Sequence, residues 1–324
     1  MNIISWFFIG FGSAVVASVP LVGWAKDKGR AVYANSRIRG KSGKLFKDEE
    51  IQKLLDSSML PKIQKSRYWH LLQFSETRED YEKKLESLFD EELSTLVRLS
   101  SPKIQDFLET YYRLQSEFDD LKLILYCIHN NRDRTELRRL LKTEKYTHLL
   151  EKSHINDAMN DIDIDSLNFA TYSQYGIVGL EYAIDDHYFK KLRRTADDKT
   201  LMRLYKIVRT NYLLNQILRL KKLSYKENQI IDLLRLKMKK EIEYVKKDIN
   251  IMIKEFSEKD KTLRKMLLSG ERRSQILDYY FTHRLVQFTS QEKLREPFSM
   301  IGSFHLLERI RNEIKMSKNI WLIQ

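Results

Sequence analysis

Residues 40–42 resemble the end of a phosphate-binding loop, in which glycines let the backbone wrap around phosphate groups and a lysine contacts them. In this chain those residues are Gly40, Lys41 and Ser42. The loop also requires a glycine at position 35, where the chain has Asn35, and a preceding strand, whereas residues 33–39 are predicted to be helical. We therefore expect no nucleotide site here; a glycine at a helix end, beside solvated lysines, accounts for the sequence.

An acidic run further along the chain resembles the start of a calcium-binding loop. Asp161, Asp163 and Asp165 occupy the first three ligand positions of such a loop. The sixth position, which needs glycine for a sharp turn, is Ser166, and the twelfth, which needs a bidentate glutamate, is Tyr172. The pattern is incomplete at both positions, and we reject a calcium site.

The histidines and the single cysteine do not form a catalytic or metal-binding pattern. The seven histidines never pair at metal-ligand spacing, and one cysteine cannot supply a cysteine-based zinc site or an internal disulfide. Cys127 and His129 are two residues apart, which places them on different faces of a helix. No serine lies in a Gly-x-Ser-x-Gly turn. We predict no catalytic residue, no bound metal and no cofactor.

The composition predicts an all-α protein. The chain has 324 residues, of which 42% are hydrophobic and 32% are charged, so bulk disorder and a polytopic membrane protein are excluded. It contains only 10 glycines and 4 prolines, too few for the many turns of sandwiches, barrels or doubly wound sheets. The net charge of +13 favours anionic partners such as nucleic acid, anionic lipid or acidic proteins. Acidic and basic residues are interleaved, which is typical of solvated helix faces.

Apolar residues recur at helical spacing along the chain after about residue 31. The segment 226–268 is the longest such stretch and is predicted to be a helix on one face of a bundle, with a coiled-coil arm as the alternative. Residues 156–165 are acidic and poor in apolar positions, which predicts a linker or surface loop. Two clear stripes consist of Ile104, Phe107, Leu108, Tyr111, Tyr112 and Leu114, and of Phe118, Leu121, Ile124, Leu125 and Ile128.

The N-terminal segment differs from the rest of the chain. Residues 3–25 include no charged side chain, and a helix of 23 residues, at about 1.5 Å per residue, is long enough to cross a hydrocarbon core of about 30 Å. Trp6 and Trp24 lie near its ends, and basic residues follow from Lys26, so the positive-inside rule places the remaining chain in the cytoplasm. We favour a membrane anchor over a cleaved signal peptide and over a packed hairpin.

Residues 33–45, YANSRIRGKSGKL, resemble the opening of one family, whose members begin with a Tyr-x-x-x-Arg-x-Arg helix and a basic segment. The members of this family are the C subunits of V/A-type ATPases, which are equivalent to the d subunits of the vacuolar enzymes. Further segments resemble the family in the expected order: FDDLKLIL at 118–125, LEYAIDDHYF at 180–189 and YLLNQILR at 212–219. The chain departs from the family pattern at Asp120, where asparagine is usual, and in its uncharged N-terminal segment.

Segments 117–125, 209–218 and 308–315 also resemble one another, which suggests a triplicated helical domain. The resemblance to the V/A-type ATPase family implies a funnel of three similar helical lobes. We place lobe 1 at residues 26–155, lobe 2 at 156–225 and lobe 3 at 226–324, preceded by the candidate transmembrane anchor at 1–25.

The resemblance further implies a non-catalytic central-stalk connector on the cytoplasmic face of a membrane. Its expected partners are the proteolipid ring, the D and F subunits of the rotor shaft, and the membrane surface, and no nucleic acid is expected. Arg37, Arg39, Lys41 and Lys44 are the candidate interaction residues. The alternatives are a membrane-anchored basic helical scaffold and a nucleic-acid-binding protein, for which steeply salt-dependent binding would be the sign.

Overall fold

The computed structural model describes residue 33 and residues 78–100, 102–164, 167–248 and 251. Within these ranges the chain is helical and contains no strand, which confirms the predicted all-α class. The chain divides into two compact units, Met1–Gln105 with Val286–Gln324 and Asp106–Leu285. The division into three lobes stays a prediction.

Several predictions concern residues outside the described ranges. They are the apolar segment 3–25, the basic residues of 37–44 and the echo at 308–315. Among the residues that are described, no helix is long and apolar enough to cross a bilayer.

The described part of the first unit consists mainly of α1 (Arg78–Leu99). Leu93 and Leu96 on one face of this helix are buried. The Ser100 hydroxyl donates a hydrogen bond to the Leu96 carbonyl at 2.7 Å, and the Gln105 amide donates to the carbonyls of Val97 and Ser100 at 2.9 and 3.1 Å. These bonds satisfy carbonyls at the helix end that have no partner within the helix.

The second unit is built from helices joined by short connections. The helix α2 (Pro102–Glu109) starts in the first unit and continues into the second. Its first residue is Pro102, because proline suits the first helical position. A π-helical turn (Thr110–Leu114) then leads into α3 (Gln115–His129). The remaining elements are α4 (Arg134–Leu140), a 3₁₀ turn (Thr147–Glu151), α5 (Ile155–Asn160), α6 (Phe169–Thr195), α7 (Lys199–Lys222), α8 (Glu227–Leu233) and α9 (Lys239–Lys246).

The predicted apolar stripes, apart from Ile104 in the first unit, contribute to the core of the second unit. All five stripe residues of α3 are buried, and the preceding stripe is buried except for Leu114, which is half-buried. The stripe of α3 packs against α6. The Tyr188 hydroxyl donates to the Tyr111 carbonyl at 3.0 Å, which satisfies a backbone group within the π-helical turn, where the regular hydrogen-bond ladder is interrupted.

The helix α6 is bent at Gly176, and the bend depends on two glycines for two different reasons. Gly176 has φ 61° and ψ −147°, a conformation that only glycine adopts readily. Gly179 lies beneath the bend, and a Cβ atom there would come within 2.8 Å of the Thr171 carbonyl oxygen. The bend therefore folds the first turns of α6 back against the rest of the helix.

Helices α6 and α7 form an antiparallel hairpin closed by residues 196–198. The register is set by polar pairs: Glu181 contacts Arg219, the Tyr182 hydroxyl donates to Gln216 at 3.0 Å, and Asp185 accepts from Tyr212. As the residue number rises along α6, its partner's number on α7 falls, which establishes the antiparallel direction.

The prediction of a linker or surface loop at residues 156–165 is wrong for residues 156–160, whereas residues 161–164 lie outside any helix, as a loop does. Residues 156–160 belong to α5, and the segment contributes Ala158, Met159, Ile162 and Ile164 to the core. Apolar residues here alternate with aspartates, so no long stripe marks the segment, yet a single buried turn needs only a few apolar contacts.

The prediction of one long helix from residue 226 is also wrong over residues 226–248. The chain instead forms α8 and α9, separated by a break at which Arg235 has φ 51°. The break lets Leu234 and Leu236 both enter the core and leaves Met238 61% exposed. Residues 252–268 of the predicted helix lie outside the described ranges.

Candidate functional site

A buried carboxylate joins three helices of the second unit. Asp185 of α6 accepts a hydrogen bond from the Lys122 ammonium of α3 on one oxygen, and from the Tyr212 hydroxyl of α7, at 2.7 Å, on the other. Asp119 lies 3.7 Å from the same ammonium, one helical turn before Lys122. We call Lys122, Asp185 and Tyr212 the three-helix brace.

The sequence positions the brace by placing polar residues beside apolar stripes. Asp185 follows Ile184 on the buried side of α6, and only 8% of its surface is exposed. Lys122 follows Leu121 on α3, so its alkyl chain lies against the core while its ammonium reaches Asp185. Tyr212 precedes the buried Leu213 on α7.

The electrostatics of the brace favour an ion pair with a protonated tyrosine. Burial opposes the charge on Lys122, but Asp185 and Asp119 outweigh it and raise the pKa of the ammonium. Burial raises the pKa of Asp185, while Lys122 and Tyr212 oppose that shift. Because both carboxylate oxygens accept hydrogen bonds, the geometry favours the ionised form. Burial and the nearby Asp185 hold the pKa of Tyr212 well above its usual range.

These protonation states suit a structural role. A cationic lysine and a protonated tyrosine are donors and not nucleophiles, and the oxygens of Asp185 are already engaged by them. The brace therefore fixes the relative positions of α3, α6 and α7. Among the described residues, no cluster of histidine, cysteine or acidic side chains is arranged to hold a metal ion.

A cleft of about 360 Å³ opens beside the brace, between α3 and α6 and reaching α7. Its rim includes the pair formed by Arg219 and Glu181, whose two hydrogen bonds measure 2.7 and 3.3 Å. Leu123 and Tyr126 on its α3 side are 40% and 48% exposed. The lining residues are Asp119, Lys122, Leu123, Leu125, Tyr126, Ile177, Val178, Leu180, Glu181, Ile184 and Arg219. The cleft offers apolar contact area inside a rim of paired charges.

A second buried carboxylate anchors the segment that follows α4. Asp120 is 3% exposed and accepts hydrogen bonds from the Lys142 backbone N–H at 3.0 Å and from the Thr143 backbone N–H and hydroxyl at 2.7 and 2.9 Å. Burial raises the pKa of Asp120, and these hydrogen bonds oppose the shift. The Asp120 carboxylate thus holds this segment as a hydrogen-bond acceptor.

The four candidate interaction residues predicted from the sequence are not brought into this site. Arg37, Arg39, Lys41 and Lys44 lie outside the described ranges.

Of the acidic run, Asp161 forms an ion pair with Lys152 at 2.5 Å. Cys127 is buried, whereas His129 is exposed and contacts the Tyr172 hydroxyl at 2.9 Å, so the two lie on different sides of α3 as predicted. Burial raises the pKa of the Cys127 thiol.

The residues of the brace form no recognisable chemical motif in the sequence. Each nevertheless lies in one of the three family-like segments, 118–125, 180–189 and 212–219, and the structure brings those segments together at one carboxylate. The sequence feature that could have indicated the brace is the position of Asp185 and Lys122 directly beside stripes of apolar residues. Long polar side chains at such positions pair with each other when they are removed from water.

Comparison with known protein families gives a match that covers most of the chain. The sequence pattern of the family described as ATP synthase (C/AC39) subunit matches residues 34–320. No curated protein and no solved structure matches the chain. The match extends over both compact units and includes all three segments that meet at the brace, and the chain therefore belongs to the ATP synthase (C/AC39) subunit family.

Proposed function

We propose that this chain is the non-catalytic central-stalk connector of a rotary V/A-type ATPase. In this role it couples the rotor shaft, made of the D and F subunits, to the proteolipid ring during ion transport. The observation that carries the proposal is the family match over residues 34–320. Family membership indicates a component of the ATP synthase assembly, and the connector role with its named partners is the finer step that we propose.

The described helices support a mechanical role. A connector that transmits torque must resist relative movement of its helices, and α3, α6 and α7 are tied at the brace. The pair of Arg219 and Glu181 adds a second tie between α6 and α7. A bidentate arginine–carboxylate contact constrains both distance and orientation, which suits an element under load.

The proposal includes three features predicted from the sequence. They are the funnel of three helical lobes, contacts made by Arg37, Arg39, Lys41 and Lys44, and a membrane anchor at residues 3–25 at the cytoplasmic face. We propose that the funnel receives the shaft, since a socket of similar lobes distributes load around an axle.

Co-purification of the partner proteins tests the connector role. The full chain, tagged and expressed in its own cell, is recovered from gently solubilised membranes, and its partners are identified by mass spectrometry. We expect the proteolipid and the D and F subunits in comparable amounts, and recovery of the chain without either set contradicts the proposal. Deletion of residues 1–25 tests the anchor separately, because unchanged retention in salt-washed membranes contradicts it.

A charge-neutralised variant tests the candidate contact residues. Replacing all four by glutamine, Arg37→Gln, Arg39→Gln, Lys41→Gln and Lys44→Gln, should reduce the recovery of shaft or ring proteins. The matched control neutralises four exposed basic residues of the second unit: Arg132→Gln, Arg138→Gln, Lys222→Gln and Lys237→Gln. Equal recovery with both variants would exclude a specific role for the four N-terminal residues.

A further inference from the structure

The closed end of the α6–α7 hairpin carries a high density of positive charge. Residues 190–209 include eight lysines or arginines and two aspartates, so their formal net charge is +6, whereas the whole chain of 324 residues has +13. Nearly half of the net charge therefore belongs to one hairpin end.

Seven of these eight cations are exposed on the two helices of the hairpin. Lys190 pairs with Asp186 and Arg203 has an interaction of its own, which leaves five. We call Lys191, Arg193, Arg194, Lys199 and Lys206 the basic tip. No ion pair of these five side chains occurs with any residue of the described ranges. Within the described part of the chain, their charges are therefore not neutralised by an ion pair.

The antiparallel register gathers these cations instead of dispersing them. α6 ends at Thr195 and α7 begins at Lys199, so residues just before and just after the turn lie at the same end. Asp198, in the turn, uses a carboxylate oxygen to accept from the Leu201 N–H at 2.8 Å. Like charges in proximity repel and do not stabilise a hairpin, so the basic tip needs an explanation other than folding.

The chemistry around the basic tip favours a lipid surface over a protein or nucleic acid. The large exposed apolar residues of the described ranges lie outside residues 190–209. A protein interface normally centres on such apolar or aromatic anchors, and its core is depleted of lysine. Of the nearby aromatic rings, Phe189 is buried, and Arg209 lies 4.6 Å from its centroid and 5.4 Å from that of Tyr212, so these rings do not form a platform for stacking bases.

We propose that the basic tip binds anionic phospholipid headgroups at the surface of a bilayer. Basic side chains are attracted to anionic leaflets without insertion of apolar groups, and arginine also forms directed hydrogen bonds to phosphate. The inference deepens the proposed function and rests on it for the presence of a membrane beside the chain. It assigns the contact to a defined surface of the second unit, distinct from residues 3–25.

Vesicle binding of the purified full chain tests the proposal. The measurement is the ratio of two partition coefficients, one for vesicles of phosphatidylcholine mixed with phosphatidylglycerol and one for phosphatidylcholine alone. Apolar residues 3–25 contribute to both coefficients, so the ratio isolates the effect of lipid charge. We expect the ratio to exceed about 10 at about 0.1 M salt and to approach unity at about 0.5 M salt, because salt screens such contacts.

The test variant neutralises three residues of the basic tip: Lys191→Gln, Arg194→Gln and Lys199→Gln. Each basic residue near an anionic surface raises the partition coefficient roughly fivefold. Loss of three such residues should therefore lower the ratio by at least about tenfold. The control, Arg138→Gln with Lys222→Gln and Lys237→Gln, removes the same charge from exposed positions elsewhere and should keep the wild-type ratio. Thermal unfolding verifies that both variants fold. If the test variant does not fold, the single variant Lys206→Glu tests the same surface.

Three results would overturn the proposal. They are an unchanged ratio in the test variant, an equal loss in the control variant, and a ratio near unity for the wild type. Binding of duplex or single-stranded DNA that depends on the basic tip, with vesicle binding unaffected, would assign the surface to nucleic acid instead. The outcome is separable from the connector role, because co-purification of ring and shaft proteins does not require the basic tip.

Discussion

At the scale of single residues, Asp120 holds the segment after α4 by accepting hydrogen bonds. Two backbone N–H groups and one hydroxyl of Lys142 and Thr143 point at its carboxylate, so the position requires an acceptor. The closest of these contacts converge on one oxygen, Oδ2. An amide oxygen at that point would accept the same bonds to Oδ2, so the geometry admits asparagine as well as aspartate.

We therefore expect Asp120→Ala to destabilise the chain and Asp120→Asn to be nearly neutral. Alanine leaves buried donors without an acceptor and should lower the free energy of unfolding by about 2–3 kcal/mol, whereas asparagine keeps one oxygen and should cost less than about 1 kcal/mol. Urea unfolding followed by circular dichroism measures both. Equal losses would show that the negative charge, and not the acceptor, holds the segment after α4.

The brace makes a second residue-scale prediction. Lys122→Met leaves the Asp185 carboxylate buried without its cation and should cost about 3 kcal/mol, whereas Tyr212→Phe removes one hydrogen bond to the carboxylate and should cost about 1.5 kcal/mol. The double variant Lys122→Met with Asp185→Leu replaces the pair by apolar groups and should recover part of the loss. Denaturant midpoints provide the comparison, and a double variant less stable than Lys122→Met would contradict this account.

At the scale of elements, the first turns of α6 are attached through side chains of the bent segment. The Tyr175 hydroxyl donates to Asp232 of α8 at 2.7 Å, and the Tyr172 hydroxyl contacts His129 of α3. Gly176 provides the bend that makes both contacts possible. These two contacts are polar and add to the packing of Tyr175 against the core, and the contact of Tyr175 with Asp232 can be tested by pH.

Burial and the hydrogen bond to Asp232 raise the pKa of Tyr175 to about 12. Between pH 10 and 12 the folded chain retains a proton that the unfolded chain loses, so stability falls as pH rises. Wild type should be more stable than Tyr175→Phe below pH 10, and this advantage should disappear as the pH approaches 12. Unfolding free energies of both proteins across this range provide the measurement, and a constant difference would exclude the linkage.

Periodicity predicted much of the helical core but not where helices break. The stripes of α2 and α3 could be predicted because every third or fourth residue is apolar and the structure buries them. The break between α8 and α9 could not be predicted, because the apolar spacing continues through residues 234–238, where the chain leaves the helix and Arg235 takes a φ of 51°. The ion pair of Asp186 with Arg235, at 3.3 Å, fixes that turn from another helix, and local sequence carries no sign of such a contact.

The brace was missed for a related reason. Lys122 and Asp185 are separated by 63 residues, and Asp185 and Tyr212 by 27. Each segment could be matched to a family motif on its own, but the pairing depends on which helices pack together. The order of the motifs therefore indicated the family. The contact of all three segments at Asp185 could be seen only in the structure.

At the scale of the whole molecule, loss of a mechanical connector should affect ATP hydrolysis and ion transport differently, whereas loss of a catalytic subunit should abolish both. Cells that lack this chain should retain ATP hydrolysis by the assembled catalytic part and lose ATP-driven ion transport, because the shaft no longer turns the ring. The full chain supplied in trans should restore transport. Hydrolysis and ion uptake are measured in parallel on inverted membrane vesicles, with a strain that lacks the catalytic part as the control in which both activities disappear. Coupled transport at the wild-type level without this chain would contradict the connector role, since torque would then reach the ring by another path.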